Sequence, residues 1–353
     1  MREAFGVYVH IPFCARRCDY CSFATWTDRH HLQRDYLDAL HRDIGRSVDR
    51  PATTVFVGGG TPTLVDPDGL AAVIRSIPVV DGAEVTVECN PDDVTVEMLA
   101  TYRAAGVNRV SVGVQSMVPQ VLASLGRWHQ PDNVERAVEA IRAVGMPTWN
   151  LDLIYGGAGE TLADWERTLR RSVALQPPHV SAYALTVEAG TPLAAQPDRH
   201  PDDDDQADKY ELADDVLTAA GLANYEVSNW ARPGHESRHN RLYWLQADYL
   251  GFGAAAHSHR TGRRWWNVRT PDRYIAAVAA GESTEAAGET LDDDTRRIEG
   301  LQLALRMREG VPADAFDPAD LDRLDGLVEV RDGRALLTRR GRLLANEVSM
   351  HLR

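Results

Sequence analysis

The chain has 353 residues, 44% of them hydrophobic, enough to bury a full core in one large domain and a second small one. Its 38 basic residues face 52 acidic ones for a net charge of -14, which excludes a broad phosphate-neutralising surface and makes nucleic acid an unfavourable partner. No apolar run approaches the ~18 residues that cross a bilayer. The start MREAFGVYVH shows no basic leader followed by an apolar stretch, so a cytoplasmic protein is expected.

From residue 6 to about 185, short β-branched runs alternate with amphipathic stretches, the pattern of βα units on a parallel sheet. The first run, Gly6 to Ile11, leads into Cys14, Cys18 and Cys21, spaced C-x3-C-x2-C. Leu32, Tyr36, Leu37, Leu40 and Ile44 then recur at helical spacing before a second run, Thr54 to Val57, which enters Gly58, Gly59 and Gly60. Further runs cover Glu84 to Glu88, Arg109 to Gly113, Trp149 to Ile154 and His179 to Leu185, with a helical pattern from Val134 to Val144 before the fifth strand. The tract Pro201 to Gln206 reads as a solvated loop whose aspartates favour the start of a helix running to Gly221.

A polar and aromatic region follows, and an alanine-rich stretch near Ala276 to Ala287 reads as a helix end and linker. The domain boundary is therefore placed near 285, dividing 1–285 from 286–353. Helical spacing at Ile298, Leu301 and Leu305, a second short helix ending near Leu324, and two strands around Asp332-Gly333 give the tail a winged-helix-like order. Residues 292–353 hold 13 acidic and 11 basic residues, so a packing or lid role suits this tail better than DNA binding.

Three of four cysteines fall within eight residues while Cys89 stands alone, which points to metal or redox chemistry rather than a disulfide framework. Three thiolates hold three irons of a cubane and leave the fourth open to a chelating ligand. A structural zinc site completed by His10, His30 or His31, or a chance group of buried thiols, stays open on the residues alone, although no second Cys or His pair lies at finger spacing. The glycine run lets a ligand approach the backbone. Glu88, Gln115, Asp152 and Tyr183 sit at or near strand ends, which gather on one face of a β/α barrel.

C-x3-C-x2-C after a first strand resembles the radical SAM superfamily. Read whole, the motifs VHIPFC, GGGTPTL, ECNPDDVT, VSVGVQS, LGRWH, NLDLIYG, YEVSNWARPG, HNRLYW and YLGFGAAAHS resemble the oxygen-independent coproporphyrinogen III oxidase group, most closely its HemW-type haem chaperone branch, from about residue 7 to the end. The resemblance implies an incomplete (β/α)6-type radical SAM barrel with a small winged-helix-like domain, carrying a 4Fe-4S cluster on Cys14, Cys18 and Cys21. In that superfamily the open iron binds S-adenosylmethionine (SAM), and an electron from the cluster cleaves it to methionine and a 5′-deoxyadenosyl radical. It further implies SAM contacts at Tyr8, Tyr20, Gly59, Gly60, Thr61, Glu88, Gln115, Arg127 and Asp152. His239, Tyr243 and Trp244 of HNRLYW are implied as a haem-binding element, with His257 and His259 as weaker candidates; Trp265 and Trp266 read as core.

Two departures separate this chain from the oxidases: Phe23 stands where they carry one further cysteine, and only seven residues precede Tyr8 where they have a long arm. Gly156, Gly157, Ala158 and Gly159 also replace the Gly-Leu-Pro-Gly turn of the chaperone branch. The expected function is binding of haem, cluster and SAM and delivery of haem to acceptors, respiratory enzymes at the inner face of the membrane, with peripheral membrane association. The rivals are an oxygen-independent coproporphyrinogen III oxidase and a zinc-binding interaction module.

Overall fold

The computed structural model describes residues 4–353; the first three residues of the segment read above for a leader lie outside it. Six strands, β1 (Phe5–Ile11), β2 (Ala52–Gly59), β3 (Val79–Cys89), β4 (Arg109–Gln115), β5 (Thr148–Tyr155) and β6 (His179–Ala184), are parallel neighbours in chain order. Between them run α1 (Gln33–Ser47), α2 (Pro67–Arg75), α3 (Val96–Ala104), α4 (Pro119–Ser124), α5 (Pro131–Ala143) and α6 (Leu162–Ala174).

Period-two alternation assigns the two faces of each strand. Val7, Val9 and Ile11 pack in the main core with Leu37, Leu40 and Ile44 of α1. Gly6, Tyr8 and His10 take the other, inner face, where Tyr8 stacks on Phe56 at a centroid distance of 6.3 Å. The sheet does not close: six more strands extend it to twelve. After α7 (Asp203–Ala219), β8 (Asn229–Ala231) adds antiparallel to β6 and β7 (Ala223–Glu226) antiparallel to β8. Beyond α8 (Arg238–Trp244), β9 (Asp248–Phe252) pairs parallel with β1, and β10 (His257–Arg260) and β11 (Arg263–Asn267) follow antiparallel. Helix α9 (Pro271–Ala280) leads to β12 (Glu285–Thr290), one edge of the sheet, with β7 the other. The six parallel strands and their helices thus form an open β/α barrel with further strands added at both sides.

The aspartate tract does what its charge favours: the Asp202 side chain accepts from the Asp205 amide and caps α7. Most of residues 223–267 is strand and helix rather than irregular chain. These strands have three to five residues, too short to display a period. Of the stretch Ala276 to Ala287 expected as a helix end and linker, the first part does end α9, while Glu285 to Ala287 are paired with β11 as part of an edge strand.

The tail contains α10 (Asp293–Leu305), β13 (Val311–Pro312), α11 (Pro318–Arg323), β14 (Val328–Arg331), β15 (Arg334–Leu337), α12 (Arg339–Leu343) and α13 (Ala345–Ser349). Leu305, Val311, Phe316, Leu324, Ala335 and Val348 form its own core. Asp332 at φ 50° and Gly333 at φ 74° make the left-handed pair that a two-residue hairpin turn demands. The tail docks on α7 through Arg342, 2.9 Å from Asp214 Oδ2, while Asp214 Oδ1 accepts from Trp230 Nε1 at 2.8 Å.

Candidate functional site

The three cysteines ride on a long loop that leaves the inner end of β1 and is pinched at its neck. Trp26 donates its amide to Pro12 O at 2.8 Å, and Cys14 donates back to Trp26 O at 3.1 Å. The loop's far side is held by Asp19, whose amide reaches Leu125 O and whose carboxylate pairs with Arg199 Nη2 at 2.8 Å. Gly126, at φ 70°, lets this loop lie close: a Cβ there meets Asp19 Oδ1 at 2.8 Å. All three thiols are free and half-exposed. Burial raises the pKa of Cys14 and Cys21, and in both the neighbouring thiols push the same way.

Around the thiols the strand ends supply the rest of a cavity of about 1170 Å³. Gly60 is packed so tightly that a Cβ meets Phe13 O at 2.6 Å and Cys14 Sγ at 3.0 Å, so the glycine run is the floor against which the cysteine loop rests. Thr61 Oγ1 lies 3.7 Å from Cys14 Sγ, and Arg127 Nη1 lies 3.6 Å from Cys18 Sγ while its Nη2 donates to Gly113 O at 2.8 Å. Arg127 Nε is buried with no acceptor. Gln115 follows a bulge in β4 and takes φ 63°, an unusual conformation for its residue type at the cavity wall.

Two carboxylates share the wall. Glu88 accepts from the Gly59 amide at 3.0 Å, and burial, reinforced by the Asp152 charge, pushes its carboxyl up to about 7. Asp152 is also raised by burial, against the pull of its donors: Ser111 Oγ and Asn150 Nδ2, each at 2.7 Å. Asn150 passes the network on to His179 Nδ1 at 2.6 Å, and His179 Nε2 meets Tyr225 OH at 2.8 Å. Tyr225 OH in turn accepts from the amide of Ser237, the N-cap of α8. One polar chain thus runs from the cavity to the helix that plugs the barrel's other end.

Of the expected SAM contacts, Tyr20, Gly59, Gly60, Thr61, Glu88, Gln115, Arg127 and Asp152 line this cavity, together with Cys14, Cys18 and Cys21. Tyr8 lies on the inner face beside this cavity and not in its lining, its hydroxyl bonded to His10 Nδ1 at 2.9 Å. The expected haem element is also placed elsewhere. His239 has no exposed surface; its Nδ1 meets Thr54 Oγ1 at 2.8 Å and its Nε2 meets Tyr243 OH at 2.9 Å. Burial lowers its pKa to about 3, so it is a neutral ring with both nitrogens used and none free for iron. Tyr243 packs edge-on to His239, and Trp244 lies under the Arg306 guanidinium at 4.5 Å. His259 is likewise committed, to Ala247 O and the Gly262 amide.

Residues that sequence reasoning passed over include Arg306, Arg340 and Arg342 of the tail, which wall the cavity. Arginines in an arginine-rich tail carry no signal of this. Among the described residues no three His, Cys, Asp or Glu side chains converge as donors for a single metal ion. The three thiols on one wall suit a larger group with several metal atoms.

Residues 8–171 match the Radical SAM superfamily. The Mycobacterium tuberculosis protein named Heme chaperone HemW is 43% identical, over 98% of this chain and 94% of that one. The Escherichia coli (strain K12) protein of the same name is 37% identical over 83% of each chain. Among solved structures, the coproporphyrinogen III oxidase HemN of Escherichia coli superposes with a TM-score of 0.85 at 24% identity, over 99% of this chain and 89% of that one, a likeness of fold. With such identity along its whole length, and the radical SAM match over its barrel, the chain belongs to the HemW family of the radical SAM superfamily.

Proposed function

We propose that the protein is a haem chaperone: it holds a 4Fe-4S cluster on Cys14, Cys18 and Cys21, binds SAM in the same cavity, and carries haem to acceptor proteins, respiratory enzymes among them. It works in the cytoplasm, with peripheral association at the membrane. The observation that carries this reading is the convergence of three free thiols, the Gly58–Thr61 turn and two carboxylates on one cavity, in a chain 43% identical to a protein named as a haem chaperone.

The cluster, when bound, supplies an iron with an open position for the amino and carboxylate groups of SAM. The chain's own residues do the rest. Arg127 places a cation beside Cys18 and offsets the negative charge of thiolates. Glu88 and Asp152 offer a cationic ligand group a pair of acceptors in a sheltered site. Phe23, 60% exposed on the cavity rim, presents an aromatic face where the oxidases carry a cysteine, which favours holding a porphyrin over decarboxylating one.

The test is anaerobic haem titration of the reconstituted protein beside incubation with coproporphyrinogen III, SAM and reductant. A saturable haem spectrum with no decarboxylated porphyrin is expected; the reverse pair of results installs the oxidase reading. A colourless preparation containing zinc in place of iron installs the interaction module.

A further inference from the structure

We infer that the part of the cavity walled by the C-terminal tail is the haem seat, with Arg340 and Arg306 taking the haem carboxylates; this rests on the haem-carrying reading above. Haem is a flat, largely apolar disc with two propionates at one edge. Its seat therefore needs apolar side chains facing open space and a cation whose charge is not already spent.

The HNRLYW helix does not offer that space. His239 is sealed with both nitrogens bonded, and α8 is packed so closely that a Cβ on Gly6 meets Leu242 Cδ1 at 2.7 Å. The cavity does offer it. At about 1170 Å³ it exceeds the roughly 300–1,000 Å³ that one ligand of drug size fills, leaving room beside a SAM molecule. Tyr183, 38% exposed, and Leu344, 37% exposed, line it, with Leu343 beside them.

The cations on this wall differ in how far they are engaged. Arg342 is held by Asp214 at 2.9 Å. Arg340 is exposed and has no ion pair or hydrogen bond among the described residues, so its full charge faces whatever enters. Arg306 is half-committed: Nη2 lies 3.6 Å from Glu226 Oε2, while its Nε is buried without an acceptor. Acidic groups share the wall: Asp203 and Asp204 lie in the first turn of α7, where the helix N-terminus offsets their charge, and Glu188 and Glu347 also line it. Because Arg306 also lies over Trp244 at 4.5 Å, a carboxylate drawn to Arg306 is felt by the HNRLYW helix without any histidine–iron bond.

The experiment titrates haemin and haem dimethyl ester, whose propionates are masked, into the full reconstituted chain and into Arg340→Glu. Arg340→Glu is expected to weaken haemin binding tenfold or more, since a charge-assisted contact becomes a repulsion. It should leave the dimethyl ester within twofold of wild type, with iron content and thermal midpoint unchanged. Haemin bound equally by both proteins, or haemin and ester weakened alike, overturns this seat while leaving the chaperone reading in place. Wild type showing no saturable haem spectrum removes the chaperone reading and this inference with it.

Discussion

Lys209 is the chain's one lysine, and it is completely enclosed. Its Nζ donates to Glu160 O at 2.8 Å and lies 2.5 Å from Asp205 Oδ2 and 3.5 Å from Glu160 Oε2. A compact ammonium fits such a knot of acceptors, where the planar fork of arginine does not. Glu160 also accepts the Gly156 amide at 2.7 Å, so this contact ties α7 to the glycine turn after β5. Burial already pushes Glu160 up to about 7 from 4.5, against the pull of Lys209. A carboxyl raised in the folded state holds its proton longer than in the unfolded chain, so stability falls as pH rises from 4.5 to about 7. Lys209→Met raises that carboxyl further. At pH 6, where Glu160 is largely protonated in both proteins, the variant loses about 1–3 kcal/mol in hydrogen bonds. Above pH 7 the penalty grows by about 1.4 kcal/mol per pH unit, reaching the roughly 3–5 kcal/mol of a broken buried pair near pH 8.5. Urea unfolding of wild type, Lys209→Met and Lys209→Met/Glu160→Gln at both pH values measures this. An equal penalty at the two pH values, or a slope that survives in the double variant, refutes the reasoning.

Gly60→Ala sets a Cβ 2.6 Å from Phe13 O and should lower iron incorporation sharply while far-UV circular dichroism stays that of wild type. His239, lowered to about 3, refuses in the folded state a proton that the unfolded chain accepts below pH 6.5, so its contribution is present above 6.5 and lost as pH falls. Between pH 6.5 and 5 this amounts to about 2 kcal/mol, and His239→Leu should remove that slope, cost about 1–3 kcal/mol at pH 7.5, and leave haem affinity within twofold, as unfolding curves and titration will show. Asp214→Ala strips partners from Trp230 and Arg342 at once and should cost about 2 kcal/mol, read as faster proteolytic release of the tail.

The parallel half of the fold was legible because Val-rich runs before glycine or cysteine turns have few other solutions. Glu88, Gln115 and Asp152 were legible as cavity residues for a related reason: each sits at or near a strand's end, and such ends converge in any β/α barrel. The strands after residue 222 hid because each is short and packs polar or aromatic residues on both faces. The partners of His239 were not legible because sequence shows a ring and not its neighbours, and Thr54, which occupies its Nδ1, lies 185 positions away. Arg340 gave no signal since its meaning depends on lacking a partner in space. The glycines at 156 and 159, by contrast, kept their places in a changed turn because both have positive φ, and a Cβ at 156 meets Gln206 Nε2 at 2.5 Å.

The most direct test is iron and acid-labile sulfide per chain after anaerobic reconstitution, with Cys14→Ser, Cys18→Ser and Cys21→Ser combined in a parallel sample. The account predicts about four irons and four sulfides in wild type, with a spectrum that changes on adding SAM, and neither metal nor spectrum in the triple variant. A wild type without iron, or a variant that retains the same cluster, contradicts it.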